Sequence, residues 1–236
     1  FFNMTKHQKD NLFQLIKSLS KSEKRQFKLY VGRLGVNTDS KFLNLFNFLD
    51  KATVYNETSI LQSGIVKKQQ LANVKAHLYK QILISLKLSP SHQNVRALIR
   101  EQLDFASILY HKGLYNQSLK ILEKAKDLAI TNEEKTLAYE VVELEKVIES
   151  QYITRSISTR ADELSIQAKE LSYLNVIASK LSNLSLQLYS IILRTGYVKN
   201  EKEKQEVEDY FHKRLPKFDI EQLGFREKLW LYKAYL

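Results

Sequence analysis

Apolar residues recur along this chain at intervals of three and four, the period that lines up one face of an α-helix. The first such run, Leu12, Leu15, Ile16 and Leu19, follows Thr5. Ser20-Lys21-Ser22-Glu23 then reads as a capping box, in which the side chains of Ser20 and Glu23 satisfy amides that the start of a helix leaves exposed. The helix so begun carries Phe27, Tyr30, Val31 and Leu34 on one side, and Gly35 supplies its stop. A third helix, after Asp39 or Ser40, places Phe42, Leu45, Phe46 and Leu49 on one face. A short fourth, Glu57–Gln62, ends at Gly64. A fifth, over 67–88, repeats Leu71, Val74, Leu78, Ile82 and Leu86 and closes at Ser89-Pro90, because proline has no amide with which to continue.

From Asn94 onward the pattern becomes a repeat. Phe105 and Ala106 form a large-small pair in one helix, with Leu109 a turn later. Lys112-Gly113-Leu114-Tyr115 makes a turn, and Ser118, Leu122 and Ala125 give small, large and small positions in a second helix. Small side chains at 106 and 125 let two antiparallel helices approach closely, and Gly113 permits a sharp reversal. Over residues 99–132 this arrangement resembles a tetratricopeptide repeat, with Gln102 where that family usually has an aromatic residue and Ile130 in place of its closing proline. Later units are longer. Residues 133–152 carry Leu137, Val141, Leu144, Ile148 and Tyr152, and 160–171 carry Ala161, Leu164, Ala168 and Leu171, which together read as a second pair. A helix over 174–194 (Ile177, Leu181, Leu184, Leu188, Ile191) turns at Thr195-Gly196-Tyr197 into a charged helix over 200–215 that ends before Pro216, a third pair. Residues 223–236, with Trp230 and Tyr235, read as the first helix of a fourth.

The expectation is an all-α chain: a basic helical N-terminal domain or cap over 1–90, then a helical-repeat domain over 91–236. The resemblance implies antiparallel helix pairs stacked as a right-handed α-α superhelix, with a peptide or partner helix held in its inner groove. On that reading the first helices of the pairs line the groove, and Gln102, Leu109, Lys112 and the 174–194 helix from residue 175 on are candidate contacts.

Composition agrees with helices joined by short turns, since only 6 Gly and 2 Pro occur in 236 residues. The absence of cysteine excludes disulfides, thiol catalysis and zinc or iron–sulfur sites built on thiolates. No run approaches the roughly 20 uninterrupted apolar residues of a membrane span, so no span is expected and a cytoplasmic setting is. A chain that starts at Phe1 and stops inside a helical pattern is expected to be a piece of a longer one. Charge changes the picture more. Residues 1–100 hold 17 Lys and Arg against 5 Asp and Glu, which accounts for all of the net +11, and such asymmetry marks either a surface for polyanions or an idle solvated face.

Candidate chemistry is sparse. His7, His77, His92, His111 and His212 lie too far apart for two to share a helical face as metal ligands, so neither a metal nor any other cofactor is expected. Gly32-Arg33-Leu34-Gly35 lacks the glycines and the Lys-Ser/Thr ending of a phosphate loop. Glu140, Glu143, Glu145 and Glu149, and again Glu201, Glu203, Glu206, Glu208 and Asp209, sit among lysines and read as solvated helix faces. No catalytic residue is assigned and no enzyme is expected. Tyr115 reads as core, whereas tyrosines such as Tyr173, Tyr189 and Tyr197 could face a groove.

The primary expectation is therefore a non-enzymatic scaffold for a protein or peptide partner. The alternative is a transcriptional regulator with a basic N-terminal nucleic-acid-binding module and a helical-repeat sensor. Its sharpest form makes Glu57–Gln62, the Gly64 turn and the next helix a helix-turn-helix, with Lys67, Lys68, Gln69, Gln70, Asn73 and Lys75 entering a major groove.

Overall fold

The computed structural model describes residues 10–33, 41–89, 94–151 and 158–235, and all regular structure among them is helical. The chain divides into two compact units, Phe1–Asn94 and Val95–Leu236.

The first unit contains α1 (Asn11–Ser18), α2 (Lys21–Arg33), α3 (Lys41–Lys51), α4 (Glu57–Gln62) and α5 (Lys68–Lys87). The capping box forms: the Ser20 amide donates to Glu23 Oε2 at 2.7 Å and the Glu23 amide to Ser20 Oγ at 3.2 Å. Asp10 caps α1 by accepting from the Phe13 amide at 2.9 Å. One apolar core gathers Ile16, Phe27, Val31, Leu45, Phe46, Leu49, Ile60, Leu78 and Ile82, with the Phe27 and Phe46 rings 4.7 Å apart. The inner face of α5 packs on α1, α2 and α3. It runs antiparallel to α2, because Tyr30 Oη donates to Gln81 and Ser89 Oγ donates to Gln26, each at 2.9 Å. Thr5, Leu34, Gly35, Asp39, Ser40 and Pro90, assigned above to helix starts, faces and stops, lie outside the described residues, as does Tyr152.

The second unit contains α6 (Val95–His111), α7 (Tyr115–Thr131), α8 (Lys135–Gln151), α9 (Ser158–Thr195), α10 (Glu201–Arg214), a 3-10 turn (Ile220–Gln222) and α11 (Phe225–Tyr235). Gly113, at φ +74°, closes α6. Its amide reaches the Tyr110 carbonyl and the Leu114 amide the Leu109 carbonyl, both at 2.9 Å, the paired bonds of a Schellman stop. Ala106, Ser118, Leu122 and Ala125 are buried, and Ser118 Oγ donates to the Ala106 carbonyl at 2.7 Å, which locks α6 to α7. Phe105 does not share in this packing. It is 45% exposed, because the inner stripe of α6 is Ile99, Leu103 and Ala106.

Glu133 ends α7 with the same device at φ +54°, a conformation that costs a non-glycine residue about 1–2 kcal/mol. Its carboxylate gives a reason: Oε2 accepts from the Phe225 amide at 2.8 Å, at the start of α11. Next, α8 returns beside α6. Arg96 pairs with Glu134 where both helices start, and Tyr110 Oη donates to Gln151 at 2.7 Å where both end. These ties make α6 and α8 parallel, and α7, joined to each by a short reversal, antiparallel to both.

The largest departure from the sequence reading is α9. Residues 160–171 and 174–194 are not separate helices. They belong to one helix of 38 residues, about 57 Å long at 1.5 Å per residue. Nothing at Ser172-Tyr173 calls for a break, since no Gly or Pro occurs between Ser158 and Thr195. It runs antiparallel to α8: Arg160 lies 3.5 Å from Glu145 and Asn175 3.2 Å from Thr136. Beyond α8 it carries α11, through Ile177 and Leu181 against Leu223 and Leu231, and α10, through Leu184 and Leu188 against Phe211. The packing of α10 on the second half of α9 is the expected third pair, whereas α11 docks on the same helix, where the start of a separate fourth pair was expected.

Candidate functional site

The site follows from the length of α9. Its first half buries Leu164 and Ala168, with Leu171 at their edge, against Tyr139 and Val142 of α8. α8 begins at Lys135, whose carbonyl accepts from the Asn175 side-chain amide at 3.4 Å, and α9 runs on to Thr195. At about 100° per residue the α8-covered face recurs as Asn175, Ser179, Ser182, Leu186, Tyr189 and Leu193. Past the end of α8 this face lies open. Leu186, Tyr189 and Leu193 are 66%, 58% and 68% exposed, a spacing of i, i+3 and i+7 that makes one apolar stripe. Meanwhile α10 and α11 occupy a face turned about two-fifths of a revolution away, through Ile177, Leu181, Leu184 and Leu188.

At its α8 end the open face widens into a cleft of about 590 Å3. Thr136 and Tyr139 form one wall, Arg226 and Trp230 of α11 the other, and Ser172, Asn175, Val176, Ala178, Ser179 and Ser182 of α9 the floor. Serines and an alanine keep this floor low, so that another backbone can come close. The α11 wall is pinned from below: Glu133 holds the Phe225 amide, and Lys135 pairs with the buried Glu227 at 2.8 Å. Arg226 is the cation on the wall of this cleft. It is about half exposed and stands 3.6 Å from Glu134, a carboxylate that already pairs with Arg96.

Of the groove candidates read from the sequence, the later part of α9 lines this cleft, while Gln102, Leu109 and Lys112 do not. Gln102 and Leu109 are half-buried along α6, and Lys112 is exposed in the α6–α7 turn. Tyr139, Arg226 and Trp230 were missed. The signal present in the sequence was the second apolar stripe, 186-189-193, on a helix that already had one. Thr159–Thr195 is long and apolar enough to cross a membrane by length and composition. The same half, however, is clad by α10, whose Glu201, Glu203, Glu206, Glu208 and Asp209 are exposed, and a bilayer around it would have to admit those charges.

Glu145, assigned with Glu140, Glu143 and Glu149 to a solvated face, is buried instead. It lies on the inner stripe of α8 with Val141, Val142 and Ile148, 1% exposed, and both its oxygens accept from Lys126 Nζ of α7, at 3.0 and 2.7 Å. Of the histidines, His77 stacks edge-on with Phe42, His111 Nδ1 lies 2.7 Å from the Ser107 carbonyl, and His212 flanks Phe211. His7 and His92 lie outside the described residues.

In the first unit, Lys67 is the N-cap of α5, and Lys68, Gln69, Gln70 and Asn73 are exposed in its opening turns. Gln70 accepts from Lys41 Nζ at 3.0 Å. Gly64 takes φ +72° in the turn before them. Lys75 is the exception and points inward. Its ammonium pairs with Asp10 and donates to Tyr55 Oη at 2.9 Å, over the Tyr55 ring, so it does not stand among the exposed groups. Position 75 falls beside Leu71 and Leu78 on the inner face of α5, which is why it turns that way.

Burial pulls the Lys75 pKa down, but the hydrogen bonds it donates to Asp10 and Tyr55 and the charge of Asp10 outweigh it and hold the group above the ordinary 10.5. A lysine raised in the folded state contributes stability below pH 10.5 that is lost as pH rises through the folded pKa. Urea unfolding at a series of alkaline pH values is expected to show that loss in the parent chain. Asp10→Asn, which keeps the helix cap, flattens it; equal slopes in the two would remove this role for the pair.

Comparison with known proteins finds no matching family model, no matching curated protein and no matching solved structure.

Proposed function

We propose that this chain is a non-enzymatic scaffold that binds an amphipathic helix of another protein along the open face of α9. The observation that carries this reading is continuity: the face that α8 covers from Leu164 to Leu171 runs on uncovered through Leu186, Tyr189 and Leu193. A helix laid there continues the line of α8 and meets the same lane of α9. From Ser179 to Leu193 the lane is about 21 Å long, four turns of a partner helix, which suits recognition through apolar anchors at i, i+3 or i+4, and i+7. Arg226 at the α8 end fits a carboxylate on the partner's flank. The parallel pairing of α6 with α8 across α7 also agrees with a tetratricopeptide-like stack, whose role would be to present such a face.

Selection of peptides from a displayed random library against the full chain tests this. The expected winners are helical, with three apolar anchors at that spacing and an acidic residue. Leu186→Asp and Leu193→Asp, both at exposed positions, are each expected to weaken them about tenfold or more, since burying one such side chain is worth about 1.5–3 kcal/mol. Winners that bind both variants as well as the parent would contradict the reading. So would a parent chain that dimerises through this stripe, as judged by sedimentation of parent and variants, because the occupant would then be a second copy.

A further inference from the structure

We infer that α2 carries a second, independent binding surface, a cationic ridge that lies along the phosphate backbone of a duplex nucleic acid. Lys21, Lys24, Arg25 and Lys28 and the half-exposed Leu29 line an open cleft of about 430 Å3 on the surface of the first unit. Their spacing of three and four puts all four cations on one side of the helix. Lys24 is held by Asp50 at 2.8 Å. No ion pair joins Lys21, Arg25 or Lys28 to an acid among the described residues. Lys21, Arg25 and Lys28, spaced four and three residues apart with no acid among the described residues to offset them, repel one another and weaken the helix that bears them. The packing of α2 is made by Phe27 and Val31, about a quarter-turn from the ridge; Lys28 lies 5.8 Å over the Phe46 ring with its ammonium still exposed, and Lys21 and Arg25 take no part in that packing. Lys17 adds to the same neighbourhood, donating its Nζ to the Asp50 carbonyl at 2.7 Å.

Geometry selects the kind of polyanion. From Lys21 to Lys28 the ridge is about 10.5 Å long, and each strand of a duplex presents a phosphate about every 3.4 Å of axis, so the ridge spans about three phosphates. An anionic bilayer would call for several apolar side chains on the same face to enter the lipid, and Leu29 is the one that this ridge offers. Contacts of this kind are to phosphates and carry no base sequence. The ridge stands apart from the opening turns of α5 and does not depend on the partner face of α9.

The test is fluorescence anisotropy of a mixed-sequence duplex with the full chain over a range of salt concentrations. It is repeated for the triple variant Lys21→Gln, Arg25→Gln, Lys28→Gln and for vesicles of phosphatidylserine and phosphatidylcholine. The parent is expected to bind the duplex at low salt with a steep salt dependence. The slope of log affinity against log salt should fall by about 2–3 in the triple variant, at about 0.9 for each phosphate no longer neutralised. Its melting temperature should be unchanged or higher, because repulsion is relieved. If the triple variant fails to fold, Arg25→Gln alone decides, with an expected slope change of about 0.9. Equal slopes in parent and variant, a parent that does not bind the duplex, or a parent that binds the vesicles and not the duplex would each overturn the proposal.

Discussion

Glu145→Ala is expected to destabilise the second unit by about 3–5 kcal/mol, read as a fall in the urea midpoint at unchanged slope. The substitution leaves the Lys126 ammonium, 9% exposed, facing the interior without its counter-charge. Arg160 cannot replace Glu145, being a cation itself. Against a total stability of about 5–15 kcal/mol for a typical domain, a loss of this size removes a third or more. The paired replacement Lys126→Met, Glu145→Leu should behave differently. With both charges gone and the volume filled, stability is expected to return to the parent value or to exceed it, as buried ion pairs commonly allow. A Glu145→Ala chain that unfolds at the parent midpoint would mean that α7 and α8 do not bury this pair between them.

The second large effect concerns α9. Lys180→Pro is expected to cost about 3 kcal/mol or more, since it removes the hydrogen bond to residue 176 and drives the proline ring into that carbonyl. Lys180 is exposed, so the loss is a backbone effect, and Lys180→Ala should be close to neutral. The proline also kinks the helix between the part that packs on α8 and the part that carries α10. A more protease-sensitive α10 is therefore expected in the proline chain and not in the alanine chain. Equal stabilities of the two variants would argue for a natural break in the helix nearby.

What the sequence made legible, and what it hid, can be traced to these same elements. The capping box at Ser20 and Glu23, the bounds of α4 and the α6–α7 reversal at Gly113 were readable because each is local: a few residues determine the conformation, and the residue types are specific to it. The continuity of α9 was hidden by its own burial pattern. Leu164, Ala168 and Leu171 form one stripe, and Ile177, Leu181, Leu184 and Leu188 form another about 130° around the helix. A buried face that changes side looks like the end of one helix and the start of the next, although what changes is the partner, from α8 to α10 and α11. Phe105 and Glu145 were misplaced for a related reason: residue type suggested a burial that neighbouring helices reverse. The cleft was beyond reach, since Tyr139, Arg226 and Trp230 are brought together by a docking of α11 that depends on Glu133 and Lys135, some 92 residues away from their partners.

The continuous α9 that bears the open face can be measured directly, because the chain has no cysteine and accepts two labels cleanly. Spin labels at Asp162→Cys and Arg194→Cys, both at exposed positions, are separated by 32 residues, and electron–electron dipolar spectroscopy should report a distance centred near about 48 Å, at 1.5 Å per residue. A helix that folds back at Ser172-Tyr173 would bring the two labels to about 20 Å. That shorter distance would remove the extended strut, and with it the face on which the partner is proposed to lie.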